Sequence, residues 1–397
     1  MTATERPLAL GEPVGEAVLR AQPADFRVDE QMAVVPAGEG EHLWVEIEKT
    51  GWNTEDVAGW LARAAGLPRR AVSYSGLKDR HGVTRQWFSL HLPGRPDPDL
   101  AEPPDGIRVL DARRHERKLN RGTHRANGFV LRLREWRGDD AALAERVQAI
   151  RARGVPNYFG AQRFGRGGNN LERARAWLEG LGEAPRKRAT RGLWLSAARS
   201  ALFNRVLAER VRRDCWDRVL DGDLLQPAGS RGLFAAADEP RAAERVAAGE
   251  VHPTAPLPGS GGMASSGACA ELEARALAED DTMIRGLEEA GVDAARRATR
   301  LAVPDLELDR DGTDLRLSFS LPAGAYATTV LAELLRVYEF HKGGSGSEHD
   351  PGRDRHDLGA DARRRLEADQ RVARATAHRL RRQPSPPRTP RHRRHRA

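Results

Sequence analysis

The chain of 397 residues is too long for one compact core, which favours two domains with appended segments. Hydrophobic residues make up 39% of it. Because there is no run of about 18 apolar residues and no basic start before an apolar stretch, we expect a cytoplasmic protein without a membrane span or secretory signal. The two cysteines, Cys215 and Cys269, are too few for a disulfide framework and lie in no Cys/His cluster, so no metal site is expected.

The net charge of +8 is concentrated at the C-terminal end. Residues 341–397 hold 16 Lys and Arg against 7 Asp and Glu, which leaves 49 basic and 50 acidic residues in positions 1–340. The body is therefore almost neutral, and the total charge says little about its partners. The end of the chain, PSPPRTPRHRRHRA, cannot bury enough apolar surface to offset its ordering entropy. We predict a disordered basic tail over 341–397.

The first 155 residues alternate between strand and helix patterns. Apolar residues at every second position predict strands around 43–47 and 129–134. Thr54 is expected to cap a helix that ends before Gly66, and Asp140 is expected to open another. Two further strands, 71–74 and 86–90, flank a basic loop within SGLKDRHGVTRQWFSL (75–90). Its glycines, at 76 and 82, are expected to supply the backbone freedom of a tight connection.

The pattern changes from Val155 onward to longer helical stretches and glycine-rich loops such as GRGGNN (165–170). A second domain is expected to start there. Strand alternation returns in DLRLSFSLP (314–322), followed by a helix-like segment, AYATTVLAELLRVYEF (325–340). Either this late strand and helix complete the first domain across an insertion, or they belong to the second. The sequence leaves that pairing open.

Asp79 lies between Lys78 and Arg80 in the basic loop. A carboxylate in such surroundings stays ionised and is able to act as a nucleophile or base, while its cationic neighbours hold a phosphate. Because Asp–Arg pairs are common in hairpins, the loop alone favours an ordinary surface ion pair.

A basic stripe follows the loop and supports a nucleic-acid partner. Asn127 and Phe129 come directly after it, and Tyr158, Gln162 and Arg163 follow later, a mixture suited to binding phosphates and stacking an unpaired base. The competing interpretations are a solvated basic face and, for Phe129, a core aromatic. The lone GRGG lacks the spacing of a phosphate-binding loop. The stripe consists of Arg108, Arg113, Arg114, Arg117, Lys118, Arg121 and Arg125.

Several long motifs, taken together and in order, resemble one known family. GLKDRHGVTRQWFSL resembles the central motif of the TruD family of tRNA pseudouridine synthases, and LRAQPADFRVDE and GEHLWVEIEKTGWNT resemble its opening. The resemblance covers residues 15–337, and collinear motifs are far more specific than any single one. The later motifs are KLNRGTHRANGF, GVPNYFGAQRFG, LWLSAARSALFN, LDGDLLQPAG, EAGVDAARRATRL and LPAGAYATTVLAEL.

The resemblance implies an α/β (α+β) fold with a central mixed, mainly antiparallel sheet and an inserted α/β domain. It divides the chain into a first catalytic part at 1–155, the insertion at 156–304, a returning catalytic strand and helix at 305–340, and the tail. It also implies an isomerase that converts uridine to pseudouridine at position 13 of tRNA, a reaction that needs no cofactor. We further expect a monomer that binds no metal.

The resemblance also implies site residues. The catalytic aspartate corresponds to Asp79, and a basic position that is usually lysine in the family corresponds to Arg20. Asn127 and Phe129 match the family's NxF pair, with the ring expected to stack on the target uracil. Ala332 stands where the family has arginine, so an ion pair or RNA contact is expected to be missing there. RNA contacts are expected from Lys78, Arg80, Lys118, Arg121 and Arg163.

Two other functions remain open from the sequence. One is an RNA-binding or RNA-refolding protein without catalysis, and the other is a pseudouridine synthase that acts on another structured RNA. The route of catalysis also stays open, since Asp79 can add to the base ring or assist departure of the uracil from the sugar.

Overall fold

Strands dominate both ends of the described chain, and helices dominate its middle. The structure, a computed structural model, describes residues 6–262 and 264–339. The helices are α1 (Thr54–Ala64), α2 (Asp140–Arg153), α3 (Asn169–Leu178), α4 (Arg188–Arg212), α5 (Ala242–Ala247), α6 (Gly267–Leu277), α7 (Asp281–Glu289) and α8 (Ala327–Leu334). The strands are β1 (Gly15–Leu19), β2 (Phe26–Met32), β3 (His42–Thr50), β4 (Val72–Tyr74), β5 (Val83–His91), β6 (Ile107–His115), β7 (His124–Gly138), β8 (Val155–Pro156), β9 (Leu224–Pro227), β10 (Phe234–Ala235), β11 (Val251–Leu257), β12 (Ala295–Ala298), β13 (Arg300–Leu301), β14 (Glu307–Asp311), β15 (Asp314–Pro322) and β16 (Arg336–Glu339).

One ten-stranded sheet organises the chain around the long strand β7. Its main path runs β14-β15-β7-β2-β5-β3-β6, with β1 beside β7 and β16, and β4 beside β5. Among the pairings of the described strands, only β1–β16 and β2–β5 are parallel. The prediction of a mixed, mainly antiparallel sheet in an α+β fold is therefore confirmed. β15 pairs with β7 from Leu315 opposite Leu133 to Pro322 opposite Ala126, so a strand from beyond residue 305 lies in the same sheet as the early strands.

Two apolar layers cover this sheet and fix its strands. In one, Leu131 and Leu133 of β7 and Leu317 of β15 pack with α2 and α8; in the other, strands β3 and β5 pack with α1. From Phe129 to Leu133, every second residue of β7 is buried, as expected for a strand with one apolar face. Burial of each leucine or phenylalanine side chain contributes about 1.5–3 kcal/mol to the stability of the fold. These layers therefore stabilise the packing of the sheet against its helices.

The middle of the chain has its own core. Helices α3, α4, α6 and α7 pack around Phe203, Leu207, Trp216 and Met283, next to a four-stranded sheet of order β10-β9-β11-β12. At the two ends of this segment, β8 and β13 pair with each other, so the chain leaves and re-enters at one place. Contacts join both parts into one compact unit that extends through the described chain. No helix of the described residues has the length and apolar character needed to cross a membrane.

Two predicted boundaries differ in the structure. α2 begins at Asp140 as predicted, after the cap residue Asp139, whose carboxylate accepts the Ala141 and Ala142 N–H groups, whereas the cap of α1 is Asn53 rather than Thr54. The predicted helix over 325–340 ends at Leu334, because the following residues pair in parallel with β1 and form β16. The predicted disordered tail lies outside the described residues.

Candidate active site

A cavity of about 510 Å³ lies where β1, β2 and the basic loop meet β7 and residues of the middle segment. Four residues predicted for catalysis or substrate binding line this one cavity, although they lie far apart in the sequence. They are Arg20, Asp79, Asn127 and Phe129. The rest of the lining includes Gln162, Arg163, Asn170, Leu193 and the turn before α8, which contains Tyr326.

Asp79 faces the cavity with a side chain that is 23% exposed. Its Oδ2 lies 2.7 Å from Nη2 of Arg20, and its Oδ1 accepts the main-chain N–H of His81 at 2.9 Å. A cation and a main-chain donor therefore both bind the carboxylate. Asp79 is held in one orientation and still reaches the cavity.

The glycines of the basic loop serve close packing rather than backbone freedom. Neither Gly76 nor Gly82 has a positive φ, in contrast to the sequence-based expectation. A Cβ at Gly82 would lie 2.5 Å from the carbonyl oxygen of Phe26, and one at Gly76 would lie 3.0 Å from Cε1 of His124. The loop therefore lies directly against β2 and β7, and a larger side chain would displace it.

Arg20 follows β1 in a left-handed conformation, with φ of 62°. Such a φ costs a non-glycine residue about 1–2 kcal/mol and persists only where the surroundings enforce it. Here the guanidinium lies 4.0 Å from the centroid of the Phe26 ring and forms the ion pair with Asp79. The strained backbone thus places the cation at the predicted catalytic carboxylate.

Phe129 belongs to the core and to the cavity wall. Its ring stacks on Phe319 with centroids 5.4 Å apart, meets Phe26 edge-on, and is 8% exposed. Two residues earlier on the same face of β7, Asn127 places Nδ2 3.5 Å from Nε2 of His124. Its Oδ1 is buried and has no hydrogen-bond partner among the described residues. An unsatisfied amide oxygen beside a cavity is typical of a site that completes its hydrogen bonds with a ligand.

The predicted RNA-binding residues fall into two groups. Arg121 and Arg163 line the cavity, and Arg121 also lies over the Tyr74 ring and donates to its hydroxyl at 2.8 Å. Arg80 and Lys118 are exposed outside it. Lys78 lines the cavity, but its ammonium is bound at 2.6 Å to Glu30, and both side chains are almost fully buried.

Three polar residues beneath the basic loop were not predicted from the sequence. Lys49, Glu30 and His124 are all buried. Burial, followed by the charge of Lys78, lowers the pKa of His124, which keeps its imidazole neutral at pH 7. A signal was present for two of them, since Lys49 continues the inward positions of Leu43, Val45 and Ile47 on β3, and Glu30 continues those of β2. A charge at an apolar strand position indicates a buried, partnered group.

The structure also locates Ala332 and the two cysteines. Ala332 is a half-buried residue of α8, and it does not line the cavity. Cys215 and Cys269 are buried free thiols in the middle segment. Among the described residues there is no group of three or more His, Cys, Asp or Glu side chains arranged to hold a metal.

Comparisons with known proteins point to the same family as the sequence motifs. The family model described as tRNA pseudouridine synthase D (TruD) matches residues 8–180 and 169–334. The chain is 49% identical over 334 residues to tRNA pseudouridine synthase D of Azotobacter vinelandii, covering 84% of this chain and 95% of that protein. It is 47% identical over 331 residues to the protein of the same name from Pseudomonas putida, with coverages of 83% and 94%.

A solved structure supports the fold. A crystal structure assigned to TruD of Methanosarcina mazei matches with a TM-score of 0.64 at 22% identity, covering 84% of this chain and 95% of that one. At that identity the match speaks for the architecture alone. The family model and the close relatives cover most of the chain, and the chain therefore belongs to the tRNA pseudouridine synthase D (TruD) family.

Proposed function

We propose that this protein converts uridine to pseudouridine at position 13 of tRNA, with Asp79 as the catalytic carboxylate and without a cofactor. The observation that carries this proposal is the cavity in which Asp79, paired with Arg20, shares its walls with Asn127 and Phe129. The substrate class is supported by relatives of 47–49% identity that are named tRNA pseudouridine synthase D. We place the protein in the cytoplasm, acting as a monomer on its tRNA partner.

The reaction is an isomerisation and needs no external atoms or electrons. The bond between the uracil nitrogen and the ribose breaks, the uracil turns, and a bond from a ring carbon to the same sugar carbon forms. One proton then leaves that ring carbon, and one is returned to the freed nitrogen. Both routes open to Asp79, addition to the ring or assistance at the sugar, require an ionised oxygen that faces the cavity.

We further propose that residues 1–155 and 305–340 form the catalytic domain and that 156–304 is an insertion. The pairing of β15 with β7 and the separate core beneath α4 support this division. The pairing of β8 with β13 supports an insertion whose ends lie side by side. The cavity then lies between the two domains, where an RNA backbone is able to enter, and a uridine of folded tRNA must be extruded to reach Asp79.

The Phe129 ring is expected to stack on the extruded uracil. Phe129→Leu should lower kcat/KM for tRNA by about 5- to 150-fold, since base–aromatic stacking contributes about 1–3 kcal/mol. Phe319→Leu is the matched control because Phe319 stacks on the same ring but does not line the cavity. We expect the two variants to lose similar stability in thermal unfolding. Equal losses of kcat/KM would mean that Phe129 acts only through the core.

The exposed lysine of the basic stripe is expected to contact a phosphate. Lys118→Gln should weaken tRNA binding and lower the slope of log Kd against log salt concentration by about 0.7–0.9, the value for one phosphate contact. Lys187→Gln, at an exposed lysine just before α4, is the control and should leave the slope unchanged. An unaltered slope in Lys118→Gln would place the RNA elsewhere.

Mapping of modified uridines in RNA from cells with and without the protein tests the proposed function. We expect loss of pseudouridine at position 13 of tRNA in the cells without it. An unchanged pattern would favour the RNA-binding protein without catalysis. Loss from another RNA, with tRNA unchanged, would move the substrate while keeping the isomerase.

A further inference from the structure

Lys49 is a fully buried lysine directly beneath the basic loop. Its ammonium donates to the main-chain oxygens of Asp79 at 2.7 Å, Trp52 at 2.8 Å and Lys78 at 3.4 Å. The residues opposite it on the neighbouring strands, Thr84 of β5 and Ile107 of β6, are uncharged. The charged groups that act on it, Asp79 and Lys78, both belong to the loop.

Two more buried side chains hold the same piece of main chain. Thr54, at the start of α1, accepts the N–H of Lys78 on its hydroxyl at 3.0 Å and donates that hydroxyl to Gln86 at 2.9 Å. The amide of Gln86 donates in turn to the carbonyl of Gly76 at 3.1 Å. The backbone of residues 76–79 is therefore bound at its beginning by Gln86 and at its end by Lys49 and Thr54.

A buried ammonium is costly for a fold. Burial lowers the pKa of Lys49 from its ordinary value to about 8, against the opposing effect of Asp79. Replacement of buried ionic groups by apolar side chains of similar size often leaves the stability of a protein unchanged or higher. A lysine retained here at that cost, and bound to the carbonyl of Asp79 itself, indicates a role in placing the loop.

We propose that Lys49 is a positioning residue for Asp79 and that, with Thr54 and Gln86, it forms a clamp that fixes the main chain of the catalytic loop. Lys49 does not line the cavity, so it acts through Asp79 and not on the RNA. This inference rests on the proposed function of Asp79 for its effect on turnover. Its effect on the loop can be measured without any reaction.

Turnover tests the clamp through kcat. Because a misplacement of about 1 Å can cost roughly 10²-fold in rate, Lys49→Met should lower kcat by about that factor while the KM for tRNA changes by less than about 3-fold. Thr54→Val should lower kcat less, and Thr54→Ser, which keeps the hydroxyl, should recover most of that loss. The control is Lys187→Met. A kcat of Lys49→Met within about 3-fold of the wild type would overturn the proposal.

The pH profile separates positioning from a general loss of structure. The ammonium is charged below pH about 8 and loses its proton as the pH rises through that value, so wild-type kcat should fall above pH 8 with the loss of one proton. In Lys49→Met that fall should be absent and kcat should stay uniformly low. The same alkaline fall in the variant would contradict the clamp, since another group would then cause it.

Above pH about 8, where kcat is expected to fall, the contribution of Lys49 to the stability of the fold should rise. Between pH about 8 and 10.5 the unfolded chain holds a proton on Lys49 that the folded chain does not hold, so this group adds stability as the pH rises. The alkaline fall in kcat is therefore expected without a matching fall in melting temperature relative to Lys49→Met. A parallel loss of both would mean that the pH acts by unfolding.

Amide hydrogen exchange of the full chain tests the clamp independently of activity. Lys49→Met should raise exchange in peptides that cover residues 76–82 and leave those of α4 unchanged. If the wild type makes no pseudouridine but this local effect is seen, the proposed function fails and the clamp stands. If the wild type forms pseudouridine but Lys49→Met leaves the exchange of residues 76–82 unchanged, the clamp fails and the proposed function stands.

Discussion

Asp79→Asn is expected to lower pseudouridine formation by roughly 10³-fold or more, because asparagine has the shape of aspartate without the charge that acts on the nucleoside. The affinity for tRNA should change by less than about 3-fold, since binding relies on the basic residues and the stacking ring. Single-turnover rates and equilibrium binding with the same tRNA measure the two quantities separately.

Asp309→Asn is the matched control for this change. Asp309 is an exposed aspartate of β14 at the far edge of the sheet, so its loss of charge should leave both rate and affinity unaltered. Because Asp79→Asn leaves the Arg20 guanidinium without this carboxylate, thermal unfolding should be compared as well. A variant that remains folded, binds tRNA and still turns over at the wild-type rate would exclude Asp79 as the catalytic carboxylate.

Arg20→Met should give the second largest loss, a fall in kcat of about 10²-fold or more. Methionine keeps the apolar contact over the Phe26 ring but removes the cation that lies 2.7 Å from Asp79 Oδ2. The carboxylate then keeps the His81 N–H but loses the cation that helps to fix its direction. The measurement is kcat under saturating tRNA, with tRNA affinity determined in parallel because the guanidinium also faces the cavity.

Arg20→Lys separates charge from shape at the same position. Lysine supplies a point charge without the planar fork, so we expect it to retain activity to within about 10-fold of the wild type. Thermal unfolding should show both variants folded. If lysine proves as inactive as methionine, the planar guanidinium is required; if both retain full activity, the ion pair has no part in catalysis.

Local patterns in the sequence predicted individual strands, and the family resemblance predicted the sheet and the principal cavity residues. Alternation on β3 and β7 identified strands because each has one apolar face, and the mixed, mainly antiparallel sheet followed from the family resemblance. Arg20, Asp79 and Phe129 were located through their motifs, and all three line one cavity. Each of these predictions used residues that are close together in the chain, within one strand or one motif.

Features that depend on contacts between distant segments of the chain could not be predicted from local sequence patterns. β16 looks like the end of a helix until it pairs with β1, more than 300 residues earlier in the chain. The role of Lys49 depends on carbonyls of the loop that lies above it, and no spacing in the sequence brings these groups together. The ion pair of Lys78 with Glu30 could not be predicted either, because Lys78 lies in the basic loop and Glu30 lies on β2, 48 residues earlier in the chain.

Incubation of the purified protein with an unmodified tRNA transcript, followed by mapping of every pseudouridine, tests the central claim most directly. We predict one pseudouridine per transcript, at position 13, without any added cofactor, and none when Asp79→Asn replaces the wild type. A folded wild-type protein that binds the transcript but forms no pseudouridine, or forms it equally well without the Asp79 carboxylate, would contradict the account.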